Sequence, residues 1–286
     1  MRHVLVVEDS KMISGYLKRA IEEELSMPTL VAHSLAEART ILDDPAHTFF
    51  LALLDLTLPD APDGQVVELV LGKGVPVVIL TSTLDKSLRS RLLAKGVIDY
   101  VLKSKDSARQ VLDLMKRLVR NQGIKVLVVD DSQSLRYLLR TYLHGYGFEV
   151  VEAHNGKEAL ELLVAHPDVR LVITDYEMPV MDGFHFCLKA RETRNKNELA
   201  IIGVSSFEDD LLSAKFIKSG ANDFLAKPFQ REELYCRLIQ NLETLEYIDQ
   251  INDSLHTIQR MNQRMKRDLD AAAELQRSLL PHELPQ

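Results

Sequence analysis

VLVVEDS, residues 4–10, and VLVVDDS, residues 126–132, decide how this 286-residue chain is read. Each opens with four apolar residues, as suits a strand buried on both faces, and closes on two adjacent carboxylates. Neighbouring acids at a strand tip repel each other, so the fold alone gives no reason to put them there. They need a cation, or they need water. Three further matches follow in the same order. LALLDLTLP ending at Pro59 pairs with LVITDYEMP ending at Pro179, VVILTS ending at Ser82 with IIGVSS ending at Ser206, and IDYVLKS ending at Ser104 with NDFLAKP ending at Pro228. The offsets stay between 120 and 124 residues, which marks a duplicated domain with small length changes in its loops.

Within each copy, short apolar runs alternate with amphipathic segments. In the second copy the runs are KVLVV, FEVVEA, LVITD, AIIGVS and DFLA, and between them SLRYLLRTYLHGYG has leucines and tyrosines at helical spacing. Alternating strand and helix predicts an α/β fold with a parallel sheet covered on both faces. Five such units predict two flavodoxin-like (βα)5 doubly wound domains in tandem, with strand order 2-1-3-4-5. The boundaries fall at 1–121 and 122–229, with a helical segment over 230–280 and the entry to an absent output domain at 281–286.

From Arg231 to about Leu280 there is neither Gly nor Pro. This reads as one helix of about 50 residues, roughly 75 Å long at 1.5 Å per residue, stopped by Pro281. Ile248, Ile251, Leu255, Ile258, Met265, Leu269, Ala272 and Leu279 recur at alternating steps of three and four, with Asn262 and Gln276 as polar members. That is a coiled-coil seam and predicts a homodimer through residues 245–280, with Asn262 favouring two strands in register. Leu238 and Leu245 extend the stripe upstream across a phase slip.

Composition narrows the function classes. A net charge of −7 argues against broad attraction to nucleic acid. No apolar stretch approaches the length needed to span a bilayer. The start lacks signal-peptide architecture, and two cysteines, Cys187 and Cys236, read as buried or half-buried thiols, so a cytoplasmic protein is expected.

Polar residues gather at the strand tips: Glu8, Asp9, Asp55, Thr81 and Lys103 in the first copy, and Asp130, Asp131, Asp175, Ser205 and Lys227 in the second. A doubly wound sheet brings these tips side by side. Three acids with one lysine leave an excess of negative charge that a hard cation would relieve, and Mg²⁺ suits few carboxylates with room for water. An Asp beside that cation can accept a phosphoryl group, with the lysine and hydroxyl binding its other oxygens.

The motifs LVVDDS, DYEMPVMDG and FLAKPF together resemble those of receiver domains of bacterial two-component response regulators, over residues 2–121 and 124–240. The resemblance implies Asp55 and Asp175 as phosphoacceptors served by a histidine kinase or phosphotransfer protein. It implies Asp9 and Asp131 as Mg²⁺ ligands, Glu8 and Asp130 acting through water, and the carbonyls of Thr57 and Glu177 completing the shell. Thr81 and Ser205 would be the switch hydroxyls, Tyr100 and Phe224 the coupled aromatics, and Lys103 and Lys227 the family lysine.

The copies differ. Ser104 stands where the second copy has Pro228; family members hold the Lys–Pro bond cis, whereas a bond without proline is expected trans because cis costs about 2.5–4 kcal/mol. DLTLPDAPDG is also one residue longer than DYEMPVMDG between its proline and its last glycine. The acid sites themselves are intact. The helix DKSLRSRLLAKG is a candidate partner surface.

Receivers do little chemistry beyond gaining and losing phosphate, so the chain as given is not expected to be a dedicated enzyme. DAAAELQRSLLPHELPQ resembles the entry to metal-dependent serine phosphatases of bacterial sigma-factor partner switching, and implies that output. The alternatives are the regulatory module of a diguanylate cyclase, whose Asp-Pro-Leu-Thr-Gly-Leu-like entry is missing, and a phosphate-independent dimerisation scaffold.

Overall fold

The computed structural model describes residues 2–82, 88, 91–92, 95–206 and 210–279. Most of the DKSLRSRLLAKG helix, and the residues from Leu280 through Pro281 to Gln286, lie outside the described residues. The chain divides into two compact units, Met1–Ile124 with Tyr137–Val150, and Lys125–Arg136 with Val151–Gln286.

The first sheet is built from β1 (His3–Val7), β2 (Thr29–Ala32), β3 (Phe49–Asp55), β4 (Val77–Thr81) and β5 (Asp99–Leu102), in the order β2-β1-β3-β4-β5. Its described helices are α1 (Lys11–Leu25), α2 (Leu35–Asp43), α3 (Gln65–Gly72) and α4 (Ser107–Asn121). The pairings are parallel, and Val4 to Val7 have no exposure at all, as an apolar run in a covered sheet requires. Register fixes the tips: Val7 lies beside Leu54, Asp55 beside Leu80 and Thr81 beside Leu102. The residue after the acid pair, Ser10, caps α1 by accepting the Ile13 amide, so the acids are held between a strand end and a helix start.

The second sheet repeats the plan with β6 (Lys125–Val129), β7 (Glu149–Ala153), β8 (Val169–Asp175), β9 (Ala200–Ser205) and β10 (Asp223–Ala226), ordered β10-β9-β8-β6-β7. Helices α5 (Gln133–Gly145), α6 (Gly156–Ala165), α7 (Gly183–Thr193) and α8 (Asp210–Lys218) alternate with the strands. Both sheets therefore have the predicted 2-1-3-4-5 order.

Helix α9 runs unbroken over Arg231–Leu279. Leu234, Leu238, Leu242 and Leu245 on it are 1–2 % exposed, because this first part packs onto β8, β9 and β10. Leu238 and Leu245 thus belong to the domain core and not to the seam. The phase slip between Leu245 and Ile251 marks where the helix leaves the sheet. Beyond it Ile251, Leu255, Ile258, Met265 and Leu269 are 51–64 % exposed, an apolar stripe with no cover in the monomer. Both cysteines are free thiols; Cys187 is buried as expected, but Cys236 is exposed, on the outer face of α9.

Candidate functional site

In the second unit, Asp130 and Asp131 leave the end of β6, Asp175 closes β8 and Ser205 closes β9. The Lys227 amide donates to the Ser205 carbonyl at 2.7 Å, one more rung of the β9–β10 ladder, and so places the lysine at the same edge. Its Nζ lies 2.9 Å from Asp175 Oδ1 and 3.1 Å from Asp130 Oδ2. Asp130 Oδ1 also accepts the Ser132 amide at 2.8 Å. Burial pushes the Asp175 carboxyl above its ordinary pKa; Lys227 opposes the rise and Asp130 adds to it. Burial would lower the Lys227 ammonium, but Asp175 and Asp130 outweigh that and raise it.

The first unit is similar. The Lys103 amide donates to the Thr81 carbonyl at 2.8 Å, and Lys103 Nζ lies 2.6 Å from Asp55 Oδ2 and 2.7 Å from Glu8 Oε2. Lys103 thus bridges the two acids, and the nearly inaccessible Glu8 Oε2 is held by this contact. Here burial acts on Glu8, raising its carboxyl against the pull of Lys103. Burial would lower the Lys103 ammonium, but bonding to Asp55 and Glu8 wins and raises it.

Three carboxylates converge in each unit, Glu8, Asp9 and Asp55, and Asp130, Asp131 and Asp175, each offering a ligand oxygen within 4.8 Å of the others. In both triads the second acid is exposed while the first is buried. All-oxygen donors and an excess of negative charge, three acids against one lysine in each unit, fit a hard divalent cation such as Mg²⁺. Thr81 and Ser205 are buried beside these acids. The Thr57 amide donates to Asp55 Oδ1 at 3.2 Å, and exposed Glu177 lines a groove with Asp131 and Asp182. Tyr100 and Phe224 are half-buried against the two cores, with the Phe224 ring 6.3 Å from that of Phe216.

The rims differ as expected. Lys227–Pro228 is cis and Lys103–Ser104 is trans. The longer first-copy loop has a task that the sequence did not reveal. Both oxygens of Asp60 accept amides at the start of α2, from Leu35 at 2.9 Å and Ala36 at 3.1 Å. In the second copy the Met181 carbonyl accepts the Gly156 amide instead.

Fold and site together define a tandem pair of doubly wound domains, each with a carboxylate–lysine cluster at its strand tips. The response regulator receiver domain matches residues 4–116 and 126–239, and the chain belongs to that family of two-component signalling. A solved "probable two-component system response regulator/GGDEF domain protein" is 43 % identical with a TM-score of 0.75, covering 86 % of this chain and 100 % of its own. The rice (Oryza sativa subsp. japonica) "Two-component response regulator ORR5" is 37 % identical over 121 residues, which are 40 % of this chain and 90 % of the rice protein. The "Probable transcriptional regulator ycf27" of Cyanidium caldarium is 35 % identical over 121 residues, and the chain spans 47 % of its length. No described helix is long and apolar enough to cross a membrane.

Proposed function

We propose that each receiver accepts a phosphoryl group, Asp55 in the first and Asp175 in the second, from a phosphohistidine on a histidine kinase or phosphotransfer protein. The observation that carries this reading is the pairing of each acceptor with a lysine, at 2.6 Å in one unit and 2.9 Å in the other, inside a triad of acids. In the reaction an Asp carboxylate oxygen forms a bond to phosphorus as the phosphorus–nitrogen bond breaks, and the electron pair leaves with the imidazole. Lys103 or Lys227 holds the acceptor in place and remains charged to bind a phosphoryl oxygen. The Thr81 or Ser205 hydroxyl binds another, and Tyr100 or Phe224 follows that hydroxyl inward. Mg²⁺, held by Asp9, Asp55 and the Thr57 carbonyl, or by Asp131, Asp175 and the Glu177 carbonyl, with Glu8 or Asp130 acting through water, would neutralise charge on the transferred group.

The exposed stripe on α9, from Ile251 onward, supports a two-stranded homodimer through the part of the helix beyond Leu245, whose geometry the second receiver controls through that helix. The output we favour is a serine/threonine protein phosphatase, supported by the sequence DAAAELQRSLLPHELPQ. A second output, a diguanylate cyclase, is favoured by the 43 % identical response regulator/GGDEF relative. Assays of the full-length protein for phosphoserine-peptide hydrolysis and for GTP conversion separate the two. Light scattering of the chain with and without a small phosphodonor tests the switch: an association state or shape that responds to phosphate supports it, and a dimer indifferent to phosphate supports a scaffold.

A further inference from the structure

Two adjacent acids at a strand tip must be held in fixed orientations if both are to face one cation. The peptide unit joining them is planar, so fixing its carbonyl fixes the positions of both Cα atoms from which the two side chains leave. In the second unit Arg136 does this: Nη1 donates to the Asp130 carbonyl at 2.6 Å, and Nε lies 3.3 Å from Glu152 Oε2 on β7. Arg136 is only 5 % exposed, which is unusual for an arginine unless its geometry is used.

The first unit has neither partner. Ser14 stands five residues after Asp9, as Arg136 stands five after Asp131, and Val31 stands next to last in β2, as Glu152 does in β7. Instead His33, the residue after β2, places Nδ1 2.9 Å from the Glu8 carbonyl. A carbonyl can only accept, so Nδ1 carries the proton. The equivalent histidine of the second unit, His154, directs Nδ1 to Glu158 at 2.8 Å. Both histidine amides bond a glutamate four residues on at 2.7 Å, so the backbones agree and only the ring's task has changed.

We propose that His33 and Arg136 are positioning residues that lock the Glu8–Asp9 and Asp130–Asp131 peptide planes, and so set each receiver's affinity for Mg²⁺ independently. This rests on the metal reading above. Supporting groups behind ligands typically change metal affinity about 10–100-fold when lost.

The test is a Mg²⁺ titration of the full chain followed by hydrogen exchange, reading the segments 9–14 and 131–136 separately. In wild type both should gain protection with Mg²⁺. His33→Leu should raise the Mg²⁺ midpoint of segment 9–14 by about 10-fold and leave segment 131–136 unchanged; Arg136→Met should do the reverse. His33→Asn, whose amide nitrogen can occupy the Nδ1 position, should restore the wild-type midpoint. A midpoint unmoved by His33→Leu, a shift of both segments together, or no rescue by Asn while Leu is impaired would overturn the inference. If neither wild-type segment responds to Mg²⁺, the metal reading itself fails.

Discussion

Replacing Asp175 with asparagine should stabilise the second receiver when no cation is present. Three carboxylates there lie with ligand oxygens within 4.8 Å of one another, while Lys227 is 2.9 Å from Asp175. At an effective dielectric of about 20, two acids no farther than 4.8 Å away each repel Asp175 by at least ~3.5 kcal/mol, against one attraction of ~5.7 kcal/mol to Lys227 at 2.9 Å, a net penalty of at least ~1 kcal/mol before screening. Asp131 is exposed, so its share is screened by salt. The desolvation of the Asp175 charge works in the same direction as the repulsion and offsets that screening. A carboxyl whose folded pKa is raised costs stability once ionised, so the gain from asparagine is present at neutral pH and fades as pH falls through the folded pKa. A gain of ~1 kcal/mol is about a 5-fold smaller opening constant. Hydrogen exchange without Mg²⁺ should therefore be about 5-fold slower for Asp175→Asn in β8, with no change in β3. Equal or faster exchange in β8 would mean that Lys227 already balances the acids and that the site has no unmet demand for a cation.

Other consequences follow from packing and charge. A Cβ at Gly183 would sit 2.1 Å from the Asp175 carbonyl oxygen, so Gly183→Ala must displace the end of β8, and urea denaturation should register a loss of about 1–3 kcal/mol. Lys227→Met leaves Asp130 and Asp175 without their cation and should lower metal-free stability by about 3 kcal/mol, with Mg²⁺ restoring part of it in thermal melts. Leu255→Glu puts a charge into the proposed seam, so light scattering should report monomer where the parent is a dimer, with both receivers still folded by circular dichroism.

The duplicated pattern made the fold legible, because four-residue apolar runs that recur in one order at offsets of 120–124 residues demand two copies of one buried sheet. The acids and lysines were legible for the same reason, each occurring twice at a strand tip. The parts that escaped depend on contacts between elements far apart in sequence. Asp60 caps a helix that begins 25 residues before it. His33, in the loop after β2, reaches a carbonyl 25 residues away, and in the other copy an arginine on a helix makes the corresponding bond. No periodicity or spacing encodes such exchanges. Leu238 and Leu245 misled for a related reason. Helical spacing identifies an apolar stripe but not what covers it, and here the cover changes from sheet to solvent along one helix.

Phosphoryl acceptance by both Asp55 and Asp175 is tested most directly by intact mass after incubation with Mg²⁺ and a small phosphodonor. Wild type, Asp55→Ala, Asp175→Ala and the double variant are compared. The expected result is two phosphoryl groups on wild type, one on each single variant and none on the double variant, with uptake lost on chelation of Mg²⁺. Uptake that persists in the double variant, or no uptake in wild type with bound Mg²⁺, would contradict it.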